Sequence, residues 1–342
     1  MRNTHIEILR FVLMVAIFVW HVIVWGLGFV DGQQGMFEYE GNMPVMFFLC
    51  SLLAPATYCF VFISGYYGIR FSYSKFLNLL LWLIAVALVC GIYRYQQGQT
   101  TWYEIYSAFM PLAHNRWWFM TAYFTLFLVS PFINIALQYL TKKQIIGFLL
   151  MLYAILLYRW VILVSCAGSS FVGLLFMYVL ARYMAMIKFS MSKKKACILF
   201  ASSLIFLTCV ACVLYYGLRG RMNPEYAQRI IFQIFAYCNP LIVIMAVSLF
   251  FYVLSHKLWT NKWINILLKP NLFIYLFTAG ISYRVLIELF NNSPWRFIEF
   301  TALILLGALI MGHIIVFLTD WITRCVIHVV NKSGLLNVLA KV

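Results

Sequence analysis

Residues 7–21 of the chain read Glu-Ile-Leu-Arg-Phe-Val-Leu-Met-Val-Ala-Ile-Phe-Val-Trp-His. Arg10 and His21 lie about 16 Å apart along an α-helix and are separated by close to three full turns, so their side chains project from nearly the same face. Glu7, which precedes Arg10 by one turn, falls on that face too. Small or apolar residues continue to Val30. The stretch therefore predicts a membrane-spanning helix with an ion pair at its entrance and an imidazole about halfway across the bilayer.

The composition of the whole chain agrees with a membrane protein. Of its 342 residues, 65% are hydrophobic and 10% are charged, and the mean hydropathy is +0.93. So few polar side chains cannot cover the surface of a soluble globule. The sequence therefore predicts an all-α integral membrane protein that crosses the bilayer many times.

The net charge of +16 would favour a nucleic-acid partner in a soluble protein, but the position of the charge argues against one here. Every lysine falls in alternate loops between predicted spans or in the C-terminal tail. The positive-inside rule places those segments in the cytoplasm, next to membrane lipids. The lysines occupy positions 75, 142, 143, 188, 193, 194, 195, 257, 262, 269, 332 and 341.

The hydropathy pattern predicts about ten transmembrane helices, which places both termini in the cytoplasm. We expect residues 1–320 to form one transmembrane domain and residues 321–342 to form a basic amphipathic cytoplasmic tail. The predicted helices cover residues 8–30, 43–65, 76–95, 117–140, 144–164, 171–189, 196–217, 230–254, 272–291 and 297–320.

The spacing of Arg10 and His21, with Glu7 before them, resembles the opening of the acyltransferase-3 family of integral membrane O-acyltransferases. Two further stretches resemble the same family. Residues 60–67 are similar to its aromatic-Ser-Gly-aromatic end of the second span, and residues 116–119 with 130–132 are similar to its Trp-Phe entry into the fourth. The family often shows a Tyr-Leu-x-His pattern near the ninth span, whereas residues 274–278 here contain no histidine.

The resemblance implies an acyltransferase that uses cytoplasmic acetyl-CoA as acyl donor and no metal. Its acceptor would be a hydroxyl of a cell-envelope glycan or a lipid-linked saccharide. The resemblance also implies that residues 1–320 form a transmembrane acyltransferase domain. It further implies a multi-pass protein of the plasma membrane, and we expect this to be a bacterial inner membrane.

Acyl transfer from a thioester to a hydroxyl needs a base for the hydroxyl proton and a positive group near the oxyanion. His21 is the candidate base, because a neutral imidazole accepts a proton near neutral pH. A covalent acyl-imidazole is a second possibility that the sequence leaves open. Arg10 would hold the phosphates or the pantetheine oxygen of the donor, and Glu7 would hold the guanidinium in place.

Ser64, Gly65 and Arg70 are candidate donor-binding residues at the cytoplasmic end of the second span. Glycine lets a ligand or a backbone approach closely, and arginine can bind phosphate. For Arg70 the positive-inside rule offers an alternative explanation.

Candidate substrate-binding residues lie in two later segments. Trp117 and Trp118 could stack on a sugar ring with Arg116 beside them, or belong to an interfacial aromatic belt. Arg284 and Glu288 share a helix face inside the predicted ninth span, where an ion pair marks either a lock between helices or a site.

The outward loop between the first two spans holds Asp31, Glu38 and Glu40. It is either a solvated loop or a cap over an acceptor site.

The rival function is a transporter or exporter of polysaccharide or another metabolite. In that reading Arg10, His21, Arg284 and Glu288 would form a proton or substrate relay. Transporters of this kind often have inverted halves with broken helices at matching positions, and the sequence shows no such symmetry.

Overall fold

The computed structural model describes residues 3–30, 32–98, 101–163, 168–278 and 283–332. All regular structure in these ranges is α-helical, which confirms the all-α class. The first eight helices are α1 (Thr4–Gly26), α2 (Gly35–Glu38), α3 (Met43–Leu53), α4 (Ala56–Tyr67), α5 (Tyr73–Gln96), α6 (Trp102–Ser107), α7 (Trp118–Tyr139) and α8 (Lys142–Val161). The later ones are α9 (Phe171–Met186), α10 (Lys193–Leu218), α11 (Pro224–Gln233), α12 (Pro240–Leu254), α13 (Lys262–Leu267), α14 (Leu272–Thr278), α15 (Tyr283–Asn292) and α16 (Pro294–Lys332).

Seven helical segments in the described ranges are long and apolar enough to cross a membrane, with α3 and α4 taken together as one of them. The helices α9 and α12 are shorter but also apolar. The chain is therefore a multi-pass membrane protein. The count of ten crossings and the cytoplasmic position of both termini stay predictions.

Four predicted spans differ from the helices observed, and three of them lie in the second half of the chain. The predicted span 230–254 is divided into α11 and α12, and the predicted span 272–291 is described as α14 and α15, with residues 279–282 outside the described ranges. The last helix, α16, continues past residue 320 to Lys332, so the first part of the predicted tail is helical. Residues 333–342 of that tail lie outside the described ranges.

Proline explains the division between α11 and α12. Pro240 has no N–H to donate and starts a new helix at its first turn, where its fixed φ fits. The side chain of Asn239 forms hydrogen bonds with the backbone on both sides of the break. Its Oδ1 accepts from the backbone N–H of Leu241 at 2.9 Å, and its Nδ2 donates to the carbonyl of Ile234 at 2.7 Å.

The second predicted span is interrupted in the same way. Helix α3 ends at Leu53 and α4 begins at Ala56, with Pro55 between them. The proline ring excludes the carbonyl of the preceding turn and removes one ladder hydrogen bond. The break allows α4 to take its own direction towards α9, against which it packs closely.

Helix α1 lies at the centre of the fold and packs against α3, α4, α12, α13, α14 and α15. The face that carries Glu7, Arg10 and His21 also carries Met14, which is fully buried. Val12, on the opposite side of the helix, is 51% exposed. The face that carries the candidate residues is thus turned towards the protein interior and away from lipid.

A polar cluster joins α16 to α5. Asn78 donates from Nδ2 to Oδ1 of Asp320 at 2.9 Å, and Trp82 donates from Nε1 to Oγ1 of Thr319 at 2.9 Å. Lys269 forms an ion pair with the other oxygen of Asp320 at 3.2 Å. These contacts satisfy polar groups that lipid could not, and they hold the last helix against the bundle.

Candidate active site

The ion pair expected from the sequence is present at the start of α1. Nη1 of Arg10 lies 2.9 Å from Oε1 of Glu7. Glu7 is only 4% exposed, whereas the side chain of Arg10 is 24% exposed. The carboxylate sits in the first turn, where the helix dipole favours a negative charge. Glu7 therefore fixes the guanidinium from inside, and Arg10 keeps donors free for a ligand.

Two backbone contacts hold this end of α1 in place. The N–H of Thr4 donates to the carbonyl of Trp259 at 2.8 Å. The N–H of Asn261 donates to Oγ1 of Thr4 at 2.7 Å. The segment before α13 thus fixes the position from which Glu7 and Arg10 project.

The C-terminal end of α4 lies between two arginines. Tyr67 is within electrostatic range of Arg10 and Glu7, and Nη1 of Arg182, from α9, donates to the carbonyl of Tyr66 at 3.4 Å. A cation at a helix C-terminus is favourable because the last carbonyls carry partial negative charge. We call the surface formed by Arg10, Arg182 and the end of α4 the basic mouth.

Ser64 and Gly65 lie just inside the basic mouth and are engaged in packing. Oγ of Ser64 lies 3.3 Å from the carbonyl of Phe60 and 3.3 Å from the hydroxyl of Tyr123. A Cβ on Gly65 would lie 2.7 Å from the carbonyl oxygen of Tyr178. The glycine thus allows α4 and α9 to approach closely, as small residues do between membrane helices. A direct role of these two residues in donor binding stays a prediction.

This close approach predicts a difference between two helical glycines. Gly65→Ala should lower the melting temperature of the purified protein by several degrees, because the added methyl meets backbone and costs about 1–3 kcal/mol. Gly147→Ala is the matched control, since a Cβ there meets nothing within 4 Å. Alanine at that site should be neutral or slightly stabilising. Equal melting temperatures for the two variants would contradict the packing role of Gly65.

The segment that follows α4 is held by a small hydrogen-bond network. The hydroxyl of Tyr178 accepts from the N–H of Ile69 at 3.1 Å and donates to Oδ1 of Asn134 at 2.8 Å. Nδ2 of Asn134 donates in turn to the carbonyl of Ile69 at 3.0 Å. Arg70 follows Ile69 and is exposed, so its guanidinium is accessible to an acyl donor from outside the helix bundle.

His21 lies between two tyrosines from late in the chain. Its ring centroid is 6.1 Å from that of Tyr275 and 5.9 Å from that of Tyr283. The hydroxyl of Tyr283 donates to the carbonyl of Thr278 at 2.8 Å, which fixes one of the two neighbours. Nδ1 of His21 is buried and has no hydrogen-bond partner among the described residues. Buried polar atoms are rarely left in this state, and those that are occur often at functional sites.

A run of aromatic rings leads from His21 to the start of α7. Tyr275 packs edge-on against Phe119 at 5.7 Å, and Phe119 stacks on Tyr123 at 5.7 Å. The hydroxyl of Tyr123 reaches Ser64. A chain of side-chain contacts through α14 and α7 thus connects the imidazole with Ser64 of α4.

The candidate residues at the start of α7 lie near this run. Trp117 is 6% exposed and lies under the guanidinium of Arg116, at 5.6 Å from the ring centroid. The ring of Trp118 is 6.0 Å from that of Tyr237. Trp117 is buried in the protein, whereas the residues of an interfacial aromatic belt face the lipid head groups. Its burial therefore argues against the aromatic belt as the explanation for this residue.

The other candidate substrate residues are not brought to His21 by any observed contact. Glu288 is exposed, and the side chain of Arg284 lies outside the described part of the chain. Their role in substrate binding stays a prediction. Sequence reasoning missed Arg182, Tyr123, Tyr275 and Tyr283 as neighbours of the candidate site, because they come from helices whose packing partners no sequence period reveals.

Comparison with known proteins gives one match. The acyltransferase-3 family model, which describes an acyltransferase domain, matches residues 3–313. No curated protein matches, and no solved structure matches. The matched range contains all the candidate site residues and extends far beyond residues 7–132, which hold the stretches that resemble the family.

Proposed function

The chain belongs to the acyltransferase-3 family and is thus a membrane acyltransferase, and from this premise we propose that it transfers an acetyl group from cytoplasmic acetyl-CoA to a hydroxyl of a cell-envelope glycan or lipid-linked saccharide. The observation that carries the proposal is the inward face of α1, which bears the Arg10–Glu7 ion pair at one end and the buried His21 further along. We further propose a bacterial inner membrane as its location.

The proton transfers of the proposed reaction are carried by His21 on this face. The neutral imidazole of His21 takes the proton of the acceptor hydroxyl while the oxygen attacks the thioester carbonyl. The C–S bond of the tetrahedral intermediate then breaks, and the imidazolium returns its proton to the departing CoA sulfur. In the covalent alternative the imidazole attacks the thioester carbonyl, the C–S bond breaks, and CoA leaves as the thiol with the proton of the imidazole. The acceptor hydroxyl then attacks the acetyl-imidazole, the C–N bond breaks, and the hydroxyl proton passes to the imidazole.

The basic mouth supports binding of an anionic donor at the other end of α1. CoA carries phosphate groups, and arginine binds phosphate through two parallel N–H donors. Arg10 is partly exposed, and Arg182 and Arg70 add positive charge at the same end of α4. We infer that the pantetheine arm enters between α1 and α4 and points towards His21.

Binding of CoA gives the first test of this function. We expect millimolar CoA to raise the melting temperature of the purified protein by a few degrees, because a ligand that binds only the folded state stabilises it. Addition of acetyl-CoA and a suitable glycan should release free CoA thiol, and the glycan should gain acetyl groups.

The control ligand is pantetheine, which lacks the phosphates and should give a smaller shift. An unchanged melting temperature with CoA would contradict acetyl-CoA as the acyl donor. If the protein also showed proton-coupled uptake of a solute into vesicles, a carrier would be favoured. Release of thiol without acetylation of any glycan would contradict the proposed acceptor class.

A further inference from the structure

A cavity lies at the end of α1 opposite to the basic mouth, on the side predicted to face outward. Its volume is about 510 Å³, which is within the usual range for small-molecule sites. We call it the outer cavity. The residues that line it include Trp25 and residues 26–28 at and after the end of α1, Gln33 and Gln34, and the two acidic residues Glu38 and Glu225.

A buried amide holds the wall of the outer cavity in shape. Nε2 of Gln228 donates to the carbonyls of Gly28 at 2.8 Å and Val30 at 2.7 Å. Its Oε1 accepts from the N–H of Met36 at 2.9 Å. Gln228 is fully buried, so three backbone groups of this connection are tied to one rigid side chain on α11. The cavity wall is therefore a built feature rather than a loosely solvated loop.

Glycine makes this tight fold of the connection possible. An ideal Cβ on Gly35 would lie only 1.8 Å from the carbonyl oxygen of Leu27, and Gly28 has a φ of +65°. The chain thus returns over its own backbone beside the end of α1. Any larger residue at Gly35 would force this return apart and open the cavity wall.

The outer cavity lies next to the candidate catalytic residue along α1. Trp25 follows His21 by four positions, so both lie on the same side of the helix in adjacent turns. Side chains on a helix lean towards its N-terminus, which turns the indole of Trp25 back towards the turn of His21. A ring stacked on Trp25 would place its substituents about one turn from the imidazole.

Charge distinguishes this cavity from the basic mouth. Glu38 and Glu225 are both exposed, and neither has an ion-pair partner in the described ranges of the chain. No cationic side chain is among the residues that line the cavity. An anionic ligand would meet two like charges there, whereas hydroxyl and ammonium groups would find acceptors in carboxylates and amides.

We infer that the outer cavity binds the acceptor, and that this acceptor is a saccharide without net negative charge at the sugar that docks there. The inference rests on the proposed function. The indole of Trp25 supports the apolar face of the sugar, and the carboxylates and amides bind its hydroxyl or amino groups. The acidic outer cavity and the basic mouth therefore differ in which substrate they bind. Anionic CoA is repelled from the outer cavity and attracted to the basic mouth.

Three disaccharides of different charge test this inference on the purified full-length protein. The probes are cellobiose, the fully deacetylated glucosamine dimer and digalacturonic acid, and calorimetry measures their dissociation constants. We expect cellobiose and the glucosamine dimer to bind at least about tenfold more tightly than digalacturonic acid. In the double variant Glu38→Gln/Glu225→Gln this gap should fall to about twofold. Trp25→Ala should weaken both favoured probes about tenfold.

Matched controls use the same residue types elsewhere. Glu299→Gln changes an exposed glutamate in α16, and Trp263→Ala removes an indole in α13 from a residue that is 80% exposed. Both should leave all three dissociation constants unchanged. Tightest binding of digalacturonic acid, an unchanged gap in the double variant, or no binding of any probe would each overturn the inference. If the saccharide probes fail but CoA still raises the melting temperature of the same samples, only the inference about the acceptor is overturned. If neither the saccharides nor CoA bind, the result counts against the proposed function itself.

Discussion

Replacement of His21 by alanine should lower glycan-dependent release of CoA by at least about 100-fold, the usual loss when a general base is removed. The expectation follows from position, since His21 lies on the inward face of α1 between Tyr275 and Tyr283. The substitution breaks no hydrogen bond described for the imidazole. We therefore expect the variant to stay folded, with a loss of packing beside the two tyrosines that lowers its melting temperature only modestly.

The matched control is a histidine in another membrane helix. His313 lies in α16, is partly exposed, and has its Nε2 3.1 Å from the carbonyl of Leu267. His313→Ala should retain turnover close to that of the parent protein. Full turnover in His21→Ala would show that the reaction does not pass through this imidazole. His21→Gln provides a second variant of similar volume in case the alanine variant is unstable.

The same protein can separate the two routes that the sequence leaves open. If an acyl-imidazole forms, rapid acid quenching after addition of acetyl-CoA without acceptor should give an acetyl group on the peptide that contains His21. If His21 acts only as a base, that peptide should remain unmodified although the protein still binds CoA. Mass spectrometry of the quenched protein measures the difference.

The arrangement along α1 was predictable because it depends on helical periodicity alone. The period of 3.6 residues places Glu7, Arg10 and His21 on one face whatever surrounds the helix. The side of the helix that faces inward also follows from the cost of burying charged groups in lipid. The 2.9 Å ion pair and the exposure of Val12 on the opposite side agree with that reasoning.

The surroundings of His21 were not predictable in the same way. Tyr275 and Tyr283 are more than 250 positions away in the chain, and hydropathy gives no information about which spans are neighbours. Two helix breaks were also missed, at Pro55 and at Asn239–Pro240. An apolar run continues through each of them, so the averaged pattern gives one span, although proline is the local signal of a break.

Gly65 illustrates how one motif can have two explanations. Its place in the Ser-Gly stretch suggested a ligand contact, but the carbonyl of Tyr178 occupies the space beside it. A sequence pattern records that a small residue is needed there without telling whether a ligand or a helix makes the approach. The packing of α4 against α9 accounts for the small residue, and donor binding at Gly65 stays a prediction.

Removal of Arg10 should affect both stability and donor binding, and a second substitution should separate the two effects. In Arg10→Ala the carboxylate of Glu7 remains 4% exposed without its partner. Loss of one member of a buried pair costs about 3–5 kcal/mol, and we expect about 2 kcal/mol here because Arg10 itself is partly exposed to solvent. The melting temperature should fall accordingly, and the KM for acetyl-CoA should rise at least about tenfold because a phosphate ligand is lost.

The double variant Glu7→Gln/Arg10→Ala gives the decisive comparison. A neutral amide in place of the buried carboxylate removes the unpaired charge, so the melting temperature should recover most of the loss seen in Arg10→Ala. The KM for acetyl-CoA should stay raised, because the guanidinium is still absent. If both the melting temperature and the KM for acetyl-CoA return towards the parent values, Arg10 contributes to stability only and does not bind the donor. Recovery of neither would mean that Glu7 carries no charge-dependent penalty and that the ion pair is not what holds this end of α1.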